Sequence, residues 1–405
     1  MATILGFSVK VILEKAGLAV LSAAASFVVK KGTDAGQGGS DTEKIRNDIA
    51  KVSKDIKSLQ NDVRALSEQL TDVLIQLRKD QLRIFCVDIH TTHTSLLDTV
   101  TTLFECLEQP ETPENMQKIQ EVDTRLKELL HNAYNAVPVW LDQIHGFMNE
   151  RGSSGFLHTA AQRALDQSAD FLAYYGKMKT LTLTYWLSVA EGIAILELAA
   201  EYPGAHFSEG RKTIARQQEQ LEKQEDALRA AIGGNCYDLA AAIFHSPQDP
   251  VAVRWKVWGE HVRSVGGTGS SDYAQIYKGP TVPTWFIKAR TSLANFDVTI
   301  GKKYTVHLSY ENGKGIYVKA SQYGTGLDDD HTLNSWYIKP YEAGSDLFVI
   351  QFQSNWSRDA FDGVFLDTRK SGSSWCLLNM NTRPVRGNNP GGLFELPMLT
   401  REERI

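Results

Sequence analysis

The sequence predicts a multidomain chain of α and β structure: an elongated antiparallel helical bundle followed by a β-rich domain, either a β-trefoil or a β-sandwich. Three observations predict it. A heptad seam runs without a miss from residue 45 to residue 77, and helix-periodic segments continue to about residue 232. Beyond that point Gly, Asn, Trp and turn dipeptides rise, and alternating patterns replace helical ones. Two strongly apolar stretches, 4–29 and 181–200, sit in a chain of 405 residues that is otherwise ordinary, with 42% hydrophobic and 22% charged residues.

Bulk properties exclude several function classes. A net charge of -5 gives no reason to expect nucleic acid as a partner. Cys86, Cys106, Cys236 and Cys376 lie far apart and form no C-x-x-C pair. They read as free, mostly buried thiols of a reducing compartment, with one cross-domain disulfide left open. No Cys or His spacing fits zinc, so no metal and no cofactor is expected. There is no G-x-S-x-G elbow, no phosphate-binding P-loop and no H-E-x-x-H, so the chain is expected not to be an enzyme and no catalytic residue is assigned. His90 and His93 read as a pair on a helix surface, and Asp328-Asp329-Asp330-His331 as a solvated turn.

The first element, residues 1–29, is an apolar helix. It lacks the basic start and unbroken apolar run of a signal peptide, so a cytoplasmic location in the producing cell is expected. Its longest uncharged piece, 16–29, is shorter than the about 20 residues a permanent span requires. Lys10 and Glu14 are four apart and can pair. Ser8, Lys15, Ser22 and Ser26 form one narrow polar stripe. Such a stripe suits a helix buried on nearly every side, and equally one that lines an aqueous lumen among copies of itself. Residues 30–41, KKGTDAGQGGSD, form a flexible linker that lets this helix move by itself.

The bundle spans 42–232. Ile45, Ile49, Val52, Ile56, Leu59, Val63, Leu66, Leu70, Val73 and Leu77 alternate at four and three, and the helical pattern runs on to about residue 108. Such a helix would be about 100 Å long. Pro113 suits the first turn of a second helix, and Pro138 should kink or break it. A third helix is expected over about 157–201, and a fourth over 211–232, where Ile214, Leu221 and Leu228 stand seven apart on one narrow edge. The third contains the apolar residues Leu181, Leu183, Tyr185, Trp186, Leu187, Ile193, Ile195 and Leu196. These read either as the core of the bundle or as a membrane-contacting element.

Residues 233–405 form the β-rich recognition domain. Alternation on both sides of Glu311-Asn312-Gly313 predicts a hairpin. TWFIKAR around Trp285, SWYIKPY around Trp336 and LFELPML around Phe394 resemble one another, as the closing strands of a trefoil repeat would. Six of the eight tryptophans lie here, and those inside alternating strands, Trp285 and Trp336, are expected in the core. Trp356, in the polar loop QSNWSRDAFDG, and Trp375 are the receptor-binding candidates; an exposed Trp stacks on sugars or enters lipid headgroups, and the alternative is ordinary packing.

A detachable apolar helix, a long helical bundle with a second apolar stretch, and a terminal recognition domain form a layout that resembles the α-helical pore-forming toxins of the haemolysin E and haemolysin BL type and the elongated helical insecticidal toxins. The resemblance is architectural and covers the first 232 residues. It implies a soluble monomer that acts at a target-cell membrane and forms a homo-oligomeric pore. Leu5, Phe7, Val9, Val11, Ile12, Leu13, Leu18, Val20, Leu21, Phe27, Val28 and Val29 would then face lipid, with Ser8, Lys15, Ser22 and Ser26 lining the lumen. Residues 181–200 would be the counterpart of the apolar tongue, and the β domain would bind a glycan, lipid or protein receptor. Two rival readings are an intracellular coiled-coil scaffold with a C-terminal ligand-binding domain, and an enzyme with an unrecognised site in the β domain.

Overall fold

The structure is a computed structural model. It describes residues 47–48, 50–51, 54, 73–202, 209–265, 273–277, 282–290, 293, 303–311, 315–319, 324–328, 335–352, 365–371, 375–381 and 392–400. For 73–77, 264–265, 273–277, 315–319, 324–328, 369–371 and 375–381 only the backbone is described. The apolar segment 4–29 with its polar stripe, the linker 30–41, most of the heptad seam, Asp329 to His331 and Trp356 lie outside these residues. Residues 47, 48, 50, 51 and 54 of the seam are helical, as the heptads require.

A helical region precedes an antiparallel β-sheet domain. Among the described residues there are six helices: α1 (Val73–Glu108), α2 (Pro113–Met148), α3 (Phe156–Asp166), α4 (Phe171–Glu201), α5 (Gly210–Ile232) and α6 (Gly234–His245). Contacts divide the described chain into two compact units. One, helical, holds residues up to 159 and 180–228; the other holds 160–179 and everything from 229 onward.

In the helical unit, α1 and α2 pack along each other across a four-residue turn. Pro113 opens α2, and the Thr112 side chain accepts from the Asn115 backbone N at 3.2 Å, an N-cap of the expected kind. Asn115 is itself buried and donates to the Cys106 carbonyl at 2.9 Å, which ties the turn to the end of α1. Pro138 does not break the helix, because α2 continues to Met148. Leu126, Leu130, Ala133, Val137, Leu141, Ile144 and Met148 form one buried stripe through the proline, and packing on both sides outweighs one missing hydrogen bond.

The single helix expected over 157–201 is two helices. Ser168 Oγ donates to the Ala164 carbonyl at 2.6 Å and stops α3, and Asp170 Oδ1 accepts from Ala173 N at 2.9 Å and starts α4. Asp170 Oδ2 also accepts from the backbone N of Tyr304 at 2.7 Å, in the same unit. Burial pushes this carboxyl up to about 6, against the pull of its backbone donors and Lys177. Asp170→Ala would leave both buried donors unpaired and is expected to lower stability by about 2 kcal/mol in chemical denaturation. Asp170→Asn keeps one acceptor and removes the buried charge, so its loss should be smaller.

The segment after residue 232, expected to be β-rich, opens with α6. Cys236, Tyr237, Leu239, Ala240, Ile243 and Phe244 fall at helical spacing and are buried. Gly233 alone separates α5 from α6, at φ 102 and ψ 126. The Asn235 backbone N donates to Asp346 at 2.8 Å.

Thirteen strands follow among the described residues: β1 (Val251–Val253), β2 (Lys256–Val257), β3 (Glu260–Val265), β4 (Tyr273–Tyr277), β5 (Trp285–Ala289), β6 (Val306–Tyr310), β7 (Gly315–Lys319), β8 (Gly324–Asp328), β9 (Trp336–Pro340), β10 (Leu347–Phe352), β11 (Phe365–Ser371), β12 (Trp375–Asn381) and β13 (Phe394–Glu395). All their pairings are antiparallel. β1 pairs β5, β5 pairs β6, β6 pairs β9, β9 pairs β10 and β10 pairs β13. The chain just past β13 returns to β1 through the bridge Val253↔Met398, flanked by Arg254 N→Pro397 O and Leu399 N→Ala252 O, so the pairings close a ring of six. The pairs β3–β4, β7–β8 and β11–β12 stand off this ring, with β12 bonded to both β4 and β8. The hairpin expected on both sides of Glu311-Asn312-Gly313 corresponds to the antiparallel pair β6–β7.

The core of this unit follows the similarity seen in the sequence. Trp285 and Ile287, Trp336 and Ile338, Phe394 and Leu396 are fully buried, one pair in or directly after each of β5, β9 and β13. Trp255 meets Trp285 edge-on at 4.7 Å between centroids and Phe394 at 5.7 Å.

Candidate functional site

Three features carry unusual chemistry. The first is α4. Thr, Tyr and Trp favour strands, yet tertiary burial keeps residues 181–200 helical. Leu181, Leu183, Tyr185, Trp186, Leu187, Ile193, Ile195 and Leu196 are all buried, as the core reading expects. Tyr185 stands edge-on to Phe156 at 5.7 Å. A Cβ on Gly192 would lie 2.8 Å from Leu141 Cδ2, so this glycine lets α2 and α4 approach closely. Among the described residues α4 is the one helix long and apolar enough to cross a membrane, and 83% of its most apolar window is buried.

Glu191 lies fully buried at the middle of α4, with His90 Nδ1 of α1 at 3.1 Å. Nearby, burial is the main reason the Cys86 thiol is pushed up to about 12; Glu191 adds to it and a hydrogen bond with Ser188 opposes it. Burial also raises the Tyr185 phenol, with Cys86 and Asp80 contributing. The His90 and His93 surface pair is therefore revised. His93 is buried and His90 half-buried, because α4 covers that face of α1.

The second feature is a polar seam between α2 and α5. Ile214, Leu221 and Leu228 are buried as expected, but Gln217 and Gln224 are buried between them. Gln217 Nε2 donates to Asp142 at 2.9 Å, and Arg216 reaches the same carboxylate at 3.1 Å. Gln224 Nε2 donates to His145 Nδ1 at 2.7 Å, and Asn149 Nδ2 donates to Gln220 Oε1 at 3.2 Å. His145 Nε2, Asn149 Oδ1, Gln217 Oε1 and Gln224 Oε1 have no hydrogen-bond partner among the described residues. Burial lowers the imidazole of His145 to about 4, against the nearby Gln217 amide and the Asp142 charge, with Arg216 adding to the depression. The seam was not read from the sequence, because Gln217 and Gln224 look like surface residues until their partners on α2 are known.

The third feature is Trp258, which sequence reading passed over. It is 40% exposed and sits with Gly259 in the turn between β2 and β3, at φ 52; Gly259 has φ 77. Among the described residues Trp258 is the one non-glycine residue with positive φ. The assigned receptor residues are not placed: Trp356 lies outside the described residues, and Trp375 is described only as backbone at the start of β12, opposite Ser371.

Among the described residues no group of three or more His, Cys, Asp or Glu could hold a metal ion. Cys86, Cys106 and Cys236 are free thiols. No protein-family model matches the chain, and no curated protein matches it significantly.

Proposed function

We propose that the chain is a pore-forming protein: a soluble monomer that binds a target membrane through its β domain, releases the apolar helix 1–29 and oligomerises. The observation that carries this reading is α4, a mostly apolar helix long enough to span and largely buried. The α2–α5 seam adds to it. The amide and carboxylate bonds of that seam can be exchanged for water if α5 parts from α2.

In this reading the β domain is a β-trefoil. The ring of six pairings, the three outlying hairpins and the threefold recurrence of a buried aromatic and aliphatic pair support that assignment over a sandwich. Repeats built this way would begin at β1, β6 and β10 and end at β5, β9 and β13.

Dye release from liposomes tests the function. Full-length protein, with or without limited proteolysis in the 30–41 linker, is expected to release dye, and deletion of residues 1–29 should abolish release while leaving the circular dichroism spectrum helical. Unchanged release after the deletion would remove that segment from the mechanism. Sealed vesicles under every condition, with no protein bound to lipid, would favour the scaffold reading.

A further inference from the structure

The β2–β3 hairpin breaks two local rules at once. Trp258 occupies a left-handed conformation that glycine or asparagine adopts readily, at a cost of about 1 kcal/mol or more. The large apolar ring that bears this strain is not buried in return. The strands leading to the turn gather basic side chains. Lys256 is paired with His261, and the bond from Val262 N to the Trp255 carbonyl carries the same register on, which sets Arg254 opposite Arg263. Trp255, Val257 and Val262 fill the buried face, so Arg254, Lys256, His261 and Arg263 share the other face, each half-exposed. Their proximity shows in His261, whose imidazole is lowered by burial and then by the Lys256 and Arg254 charges. Two carboxylates adjoin the strip: Glu260, beside the turn, and Glu395, opposite Lys256 on β13. A strained turn that leaves a large aromatic side chain exposed breaks local rules, and such rules are broken where function requires it.

We propose that this hairpin is a membrane-docking element for anionic phospholipid: Trp258 enters the headgroup layer, and Arg254, Lys256, His261 and Arg263 lie over the lipid phosphates. A two-residue turn is the most protruding part of a hairpin, and a protruding indole reaches into a planar interface, whereas a sugar needs a concave face with directed donors. Basic side chains beside an interfacial aromatic gain from the negative surface of such a membrane. The inference rests on the pore-forming reading and names the lipid class that the β domain would meet first.

The test uses full-length protein and sedimentation with two vesicle types, phosphatidylcholine alone and phosphatidylcholine with 30% phosphatidylserine. Native protein is expected to sediment with the second, with a blue-shifted tryptophan emission, and to be released by high salt. Trp258→Asn should weaken this binding at least tenfold and should leave the melting temperature equal or higher, since asparagine suits the turn. Lys256→Gln with Arg263→Gln should weaken binding and flatten its salt dependence. Native-like vesicle binding by Trp258→Asn overturns the proposal, as does a melting temperature several degrees lower, which would make the indole structural. Binding to immobilised acidic glycans with indifference to phosphatidylserine also overturns it. Dye release is read separately: binding without release sinks the pore and leaves the docking element standing, and release that Trp258→Asn does not alter sinks the docking element alone.

Discussion

Replacing Gly233 by alanine is expected to destabilise the protein by about 3 kcal/mol or more, a loss at the severe end for a single substitution. Two independent penalties meet at this residue. Its φ of 102 with ψ of 126 lies far from any region that an L side chain favours. An added Cβ would also stand 2.4 Å from the backbone oxygen of Ser345, and a carbonyl cannot swing aside as a flexible side chain can. The corner has little freedom to relax. Arg229 pairs with Asp238 across it at 2.6 Å, Tyr174 Oη donates to the Ala231 carbonyl, and the Asn235 amide is held by Asp346. Urea denaturation of Gly233→Ala should show a midpoint shift with an unchanged slope. A shift below about 1 kcal/mol would mean that the α5–α6 corner is more pliable than its geometry implies.

Acidification should act on the α2–α5 seam through His145. Its folded-state value of about 4 lies below the ordinary 6.5, so between these limits the unfolded chain binds a proton that the folded chain refuses. Stability from this site is complete above about pH 6.5, falls as the pH drops and is lost by about pH 4, a span of about 3 kcal/mol. The groups facing the imidazole are Asp142, Arg216, Gln217 and Gln224; once protonated, Nδ1 becomes a donor and Gln224 must turn its amide to meet it. Asp170 acts in the opposite sense. Its value, raised to about 6, makes the folded state the better proton binder below that pH, so acid stabilises that site. His145 belongs to the helical unit and Asp170 to the unit with the sheet. Stability measured at pH 7, 5 and 4 is therefore expected to fall first in helical signal. His145→Leu with Gln224→Leu should remove most of that pH dependence. An unchanged slope in the double variant would assign the acid response elsewhere.

Much of this architecture was legible. The stripes of α2 and α5, Pro113 at a helix start and the hairpin at Glu311 follow from spacing and turn chemistry. The mutually similar segments around Trp285, Trp336 and Phe394 contain β5, β9 and β13, three strands of the ring. The misses have physical causes. The break before Asp170 had a local signal, the Asp170 cap on Ala173 N, which the helical spacing on both sides of it masked. Helix α6 opens between glycines and is short, so its spacing was masked by the change in composition around it. Gln217 and Gln224 look like surface residues until their partners on α2 are known. The strain at Trp258 is set by the turn, since no residue type announces a tryptophan at positive φ.

The bridge between Val253 and Met398 has a bearing on biosynthesis. The first strand of the ring leaves the ribosome long before its last neighbour, so a nascent chain can complete its helices while the sheet still has an open seam. Closure of that seam spans nearly the whole domain and should be the slow event of maturation. A chain stalled shortly before residue 398 would present an unpaired β1 edge to its surroundings, the state in which misassembly with a neighbouring polypeptide is easiest.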